Sequence, residues 1–159
     1  MDNIHAAAIG TRKHAVAAEL IDLRLKQPNT TQTFNMYVND AIGYRMRPEQ
    51  VLYHSPWAFG TADAIGFGKN PDPDGKPKIL RIFDLKTGTS KASGVQLALY
   101  AAFFCLEYRI KPYDIEFDLR IYQNDEIYYI EVEVDEILHM MSRATELSIL
   151  LAAKQEEEV

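Results

Sequence analysis

Apolar residues recur at helical spacing from about Thr11 to Lys26, where Ala17, Leu20, Ile21 and Leu25 share a stripe. After a Gln-Pro-Asn-Thr break, the spacing predicts a second helix over about 31–46, with Phe34, Tyr37, Val38 and Ile42 on one side and Pro48 as its stop. From Gln50 the period shortens to that of strands, expected near Val51–His54, Ala58–Gly68 and Lys78–Lys86. The last two are separated by Asn70-Pro71-Asp72-Pro73-Asp74-Gly75-Lys76-Pro77, a dense turn signal. The segment from Ser93 to Tyr108 is apolar nearly all round, which predicts a largely buried helix. In Asp114–Tyr122, Ile115, Phe117, Leu119 and Ile121 alternate with Glu116, Asp118 and Arg120, as in a half-buried strand. Asn124-Asp125 turns the chain into Glu126–Val134, and a last helix starts at Asp135.

The order α-α-β-β-β-α-β-β-α predicts an α/β fold. A three-strand meander, a helical crossover and further strands form a mixed β-sheet flanked by helices. At 159 residues the chain reads as one domain over 1–154, followed by an acidic tail over 155–159. No apolar run reaches the length of a membrane span, so the expected location is the cytoplasm. Cys105, the one cysteine, lies among Ala101, Phe103, Phe104 and Leu106, which excludes an internal disulfide and a Cys-rich metal site and predicts a buried thiol.

Asp84-Leu85-Lys86 places a carboxylate and an ammonium on one face of a strand, at the C-terminal end of the run Ile79–Phe83. Asp74-Gly75-Lys76 has the same spacing but falls in the turn, where Asp is common for backbone reasons. Gly60-Thr61-Ala62-Asp63-Ala64-Ile65-Gly66 puts a second acid on the preceding strand. A hairpin centred between Pro73 and Asp74 sets Asp63 opposite Asp84, roughly 5 Å apart at Cβ. Two carboxylates so close repel unless a cation lies between them, and hard oxygen donors point to Mg²⁺ or Mn²⁺. Gln96 and Tyr100 share a face of the crossover helix, and Gly10-Thr11-Arg12-Lys13-His14 sets an imidazole near the start of the first helix.

In order and spacing, His14, Asp63 within Gly60–Gly66, Asp84-Leu85-Lys86 and the Gln96…Tyr100 pair resemble the motifs of RecB-like PD-(D/E)XK nucleases, above all phage and CRISPR-adaptation exonucleases. The resemblance covers Gly10 to about Tyr108. It implies a restriction-endonuclease-like core in which His14, Asp63, Asp84 and the Leu85 carbonyl ligate Mg²⁺ or Mn²⁺. On the same resemblance Lys86 orients the attacking water, Gln96 and Tyr100 hold DNA, and the chain is an exonuclease in phage or mobile-element recombination. A strand-annealing recombination protein and a homo-oligomer are the partners it implies. The pattern departs from the family where Ala18 stands four residues after His14 in place of a frequent Glu, with Glu19 next to it. A nuclease fold that binds or assembles without cutting, and a structure-specific endonuclease, are the competing readings.

The net charge of −6 runs against a phosphate-binding surface, although part of the excess lies in the Glu156–Glu158 tail. Arg12, Lys13, Arg24 and Lys26 suit either phosphate contact or a solvated helix face, with the second slightly favoured; Trp57 reads as a packed aromatic ahead of one that stacks on a base, and Asp72-Pro73-Asp74-Gly75 as a turn that lacks the ligands of a calcium loop. His5, His54 and His139 match no motif.

Overall fold

A computed structural model of the chain describes residues 3–157, and of residues 3–9 the backbone alone. His5's side chain and Glu158 therefore lie outside the described residues. The elements are α1 (Asn3–Asp22), α2 (Thr33–Gly43), β1 (Arg47–Ser55), β2 (Ala58–Lys69), β3 (Lys78–Leu85), α3 (Val95–Glu107), β4 (Ile115–Gln123), β5 (Glu126–Ile130) and α4 (Val134–Glu157), with a 3₁₀ turn at Pro112–Asp114. The five strands form one mixed sheet in sequence order. β1–β2, β2–β3 and β4–β5 are antiparallel, and β3–β4, joined through α3, is parallel. The expected α/β architecture is present. No helix among the described residues is long and apolar enough to cross a membrane.

Each sheet face carries a core. Leu80, Ile82, Leu119 and Ile121 pack with α3 and α4, while Phe83, Leu85 and Tyr122 pack with Ala17 and Ile21 of α1 and Tyr37, Val38 and Ala41 of α2. Because β4 lies between β3 and β5 and is covered on both faces, its polar side is not the solvent face that alternation predicts. Arg120 is buried there. Its guanidinium donates to Asp118, Tyr122 and Tyr44, and the Tyr122 hydroxyl donates to Asp40 of α2 at 2.6 Å. This network satisfies a buried charge and clamps α2 to the sheet.

Several ends differ from the periodicity. α1 starts earlier than expected, through Ala6-Ala7-Ala8, because alanine favours helix without contributing a stripe. It stops at Asp22 because Arg24 takes φ 57° and the Leu25 and Arg24 N–H groups return to Leu20 and Ile21. Arg45 ends α2 and Arg109 ends α3 in the same way. β1 begins at Arg47 and runs through Pro48, which is tolerated because β1 is an edge strand. β5 ends at Ile130, short of the expected Val134, and Glu133 instead opens α4 by accepting the N–H groups of Glu136 and Ile137. α4 continues to Glu157, through the first positions of the acidic tail. Asn124 and Asp125 both have positive φ, the two-residue turn that matches strand twist.

The left-handed Arg109 has a side chain where glycine has none to strain. Arg109→Gly is expected to raise stability by about 0.5–1 kcal/mol. Urea unfolding at neutral pH measures it, and a variant no more stable than the parent contradicts the assigned strain.

Candidate active site

β2 and β3 pair from Lys69↔Lys78 to Ala64↔Phe83, and the next step of that register sets Asp63 opposite Asp84. The turn arithmetic of the sequence therefore matches the register. There the ladder stops. β2 rolls over at Asp63: Ala62 packs in the α3–α4 core, whereas Ala64, two residues on, packs in the α1–α2 core. Residues two apart on a regular strand would share a face. Across from Asp63 on β1, Glu49 has φ 50°, so the neighbouring strand bends at the same level. β2 then continues beside β1 alone, and β3 continues beside β4, with the Lys86 N–H donating to the Tyr122 carbonyl.

Asp63 fills the opening. Its Oδ2 accepts the Leu85 N–H at 2.9 Å, replacing the backbone acceptor that β2 no longer supplies. The same oxygen lies 3.4 Å from His14 Nε2. His14 reaches the strand end because Gly10, one turn earlier, lets α1 settle against Thr87, where a Cβ at Gly10 would meet Oγ1 at 2.6 Å. His14 Nε2 donates to the Leu85 carbonyl at 2.6 Å and Nδ1 donates to the Gly10 carbonyl at 2.7 Å. With both ring nitrogens facing carbonyl oxygens, both carry protons. The Asp84 carboxylate is within hydrogen-bonding reach of Asp63 and lies 3.0 Å from Lys86 Nζ.

The electrostatics follow from these contacts. The Asp63 hydrogen bond raises the His14 pKa from 6.5 to about 9, although burial opposes it. Burial, then the adjacent Asp63, pushes Asp84 up to about 7. Burial would also raise Asp63, but the bonds from His14, Asp84 and the Leu85 N–H outweigh it and hold that carboxyl below its ordinary range. Two carboxyl groups that close divide the charge unequally. Lys86 loses some basicity to burial and regains more from Asp84, so it stays an ammonium.

His14, Asp63, Asp84, Leu85 and Lys86 thus meet at the C-terminal end of β3. Tyr100 of α3 is close enough to feel both acids, and its ring rests on Gly60, where a Cβ would meet it at 2.4 Å. Gln96 is exposed on the first turn of α3, and its side chain forms no hydrogen bond among the described residues. Glu19 is exposed on α1. Trp57 sits at the β1–β2 turn, away from this point, and in the β2–β3 loop the Asp72 carboxylate accepts the Asp74 N–H while Asn70 Oδ1 accepts the Asp72 N–H. Cys105 is buried, and its thiol is pushed up to about 12 by desolvation.

Beside Lys86 opens a cleft of about 430 Å³, lined by Lys13, Gln32, Thr33, Thr87, Gly88 and the Asn124-Asp125 turn. Lys13 faces this cleft rather than belonging only to a solvated helix face. Thr33 and Asp125 exchange hydrogen bonds that tie the start of α2 to the β4–β5 turn across it. Gln32 and Thr33 carry no motif, and their place here arises from packing alone.

Among the described residues, no cluster of three or more His, Cys, Asp and Glu side chains is arranged to hold a metal ion. The acids and the imidazole are satisfied by one another, by Leu85 and by Lys86. Comparison with family models, with curated proteins and with solved structures finds no match for the chain.

Ionising Asp84 withdraws stability between pH 3.8 and about 7, because its folded pKa is raised. Asp63 does the reverse, stabilising above the ordinary carboxylate range and losing that contribution as pH falls through its lowered value. The His14 contribution is complete below 6.5 and is lost as pH rises through about 9. Asp84→Asn is therefore expected to melt at a higher temperature than the parent at pH 8 in EDTA, and to lose that advantage towards pH 4. Thermal melts across this range test it; parallel pH profiles for the two proteins exclude a buried, charge-frustrated Asp84.

Proposed function

We propose that the chain is a divalent-metal-dependent DNA nuclease of the RecB-like PD-(D/E)XK type, with a restriction-endonuclease-like core. The observation that carries the reading is the meeting of Asp63, Asp84, Lys86 and His14 where β2 leaves β3. An ionised Asp84 buried beside the half-buried Asp63 serves stability poorly, and strongly shifted groups grouped beside a cleft mark a functional site.

The donors fit Mg²⁺ or Mn²⁺ in kind: carboxylates of Asp63 and Asp84, the Leu85 carbonyl and one imidazole nitrogen. From His14 Nε2, the Leu85 oxygen is at 2.6 Å and Asp63 Oδ2 at 3.4 Å. These bracket the spacing of about 3 Å between adjacent ligands of an octahedral ion with bonds near 2.1 Å. The Nδ1 bond to Gly10 orients the ring with Nε2 towards the site, as the partner group of a metal-binding histidine does. Occupation requires His14 to release its Nε2 proton and Asp84 to turn from Lys86, which accounts for the lack of a ready-made cluster. When bound, such a cation lowers the pKa of water and polarises a phosphoryl oxygen.

The chain's own residues do the rest. Lys86, fixed by Asp84 yet open to the cleft, offers its ammonium to a water and to charge gathering on the phosphate. Lys13 and the hydroxyls of Thr33 and Thr87 suit the flanking phosphates. Tyr100 borders the same point from α3, and Gln96, exposed one turn earlier on that helix, reaches the strand once DNA is bound. An exonuclease acting with a strand-annealing recombination protein on phage or mobile-element DNA, as a homo-oligomer, is the setting the family resemblance adds.

With Mg²⁺ or Mn²⁺ the protein is expected to degrade linear DNA. Asp84→Ala abolishes the activity, and Lys86→Ala lowers it roughly 10²–10³-fold. Gel assays on linear and circular substrates read this out. Cleavage of circles as fast as of linear DNA replaces exonuclease with endonuclease, and no cleavage of single- or double-stranded DNA with either metal removes the enzymatic reading.

A further inference from the structure

We propose that the edge formed by β1 and the far half of β2 is a separate binding surface for single-stranded nucleic acid. Two clefts, of about 570 and 360 Å³, adjoin there and share Arg45, Gly66 and Phe67. Arg45 and Arg47 line them together with Lys69, and no acidic residue lines either. All three are exposed and form no salt bridge among the described residues. Lys69 also stands directly across from Lys78, which is exposed as well. Like charges opposed on neighbouring strands are destabilising by themselves. In a chain of net charge −6, this concentration of unpaired cations is complementary to a polyanion.

An aromatic ledge accompanies the charge. Phe104 is buried, with Phe67 at 5.1 Å and Tyr108 at 4.7 Å between ring centroids. Held against it, Phe67 and Tyr108 remain 42 % and 57 % exposed, so each keeps an outer ring surface for an unpaired base. Cations interleaved with fixed aromatic rings are the elements that bind single strands without reading sequence. A duplex keeps its bases stacked inside and gains nothing from the rings, which favours a single strand. The space over Gly68 is open, since a Cβ there would meet nothing within 4 Å. The surface runs away from Asp63 towards the C-terminal end of β2: its nearer cleft begins on β2 at Ile65, opposite Arg47 and two residues along the strand, and Lys69 at its far end is six residues, about 20 Å, from Asp63. It stands apart from the nuclease reading and does not depend on it.

Binding of a fluorescent 20-nucleotide oligo(dT) is measured by anisotropy in EDTA, where no metal-dependent cleavage intervenes, at several salt concentrations. The parent is expected to bind the oligonucleotide more tightly than a duplex of equal length. Joint substitution Arg45→Gln, Arg47→Gln and Lys69→Gln weakens binding at least tenfold and reduces the slope of log Kd on log salt by about 2. Tyr108→Leu, a single exposed change that leaves the charge intact, weakens oligo(dT) binding about fivefold or more with the slope unchanged. No binding by the parent, a preference for duplex, or unaltered binding by both variants overturns the proposal. Binding that persists in a protein without nuclease activity supports this surface while removing the catalytic reading, and intact cleavage with unaltered binding by the variants does the opposite.

Discussion

One hydrogen bond organises this fold's chemistry: the Asp63 carboxylate accepting the N–H of Leu85. A sheet in which two neighbouring strands part leaves backbone donors with no partner, and a buried unpaired donor costs about 1–3 kcal/mol. Asp63 supplies the missing acceptor with a side chain, so the strands separate without that loss. The same substitution brings a charged oxygen into the gap, next to Asp84 and under His14. The opening in the sheet and the acidity of the site are therefore one feature.

The charges around that feature counterbalance one another in pairs. His14 is held protonated by Asp63, and Lys86 by Asp84, so the two acids sit between two cations contributed by different elements. Elsewhere the molecule handles buried charge differently. Arg120 is surrounded by Asp118, Tyr44 and Tyr122 until its donors are used, and it is itself buried. The contrast separates a structural network, closed on itself, from one whose lysine borders solvent and a cavity.

Much of this was legible in the residues. Element order followed from apolar period, because each stripe reports on its own local face. The β2–β3 register followed from the Pro/Asp/Gly turn, because a hairpin's pairing is set where the chain reverses. The rollover at Asp63 was not legible: Ala62 and Ala64 pack in opposite cores, and two alanines give a pattern no means of showing it. Burial of the polar side of β4 depends on α2 arriving from far along the chain. The left-handed helix ends were hidden because arginine, not glycine, occupies them. The cleft wall from Gln32 and Thr33 is also a product of tertiary packing.

The site's contacts span very different lengths of chain. Asp63 and Leu85 are 22 residues apart within one hairpin, whereas His14 and Leu85 are 71 apart. Closing the longer loop is entropically costlier, though only logarithmically so. A hairpin of adjacent strands also assembles on its own within microseconds. By loop length alone, bringing the paired acids and the lysine together costs less chain entropy than docking α1 to deliver the imidazole. Until α1 docks, Asp63 lacks the cation that faces it in the folded chain, which gives the docking of the N-terminal helix an electrostatic driving force in addition to its apolar one.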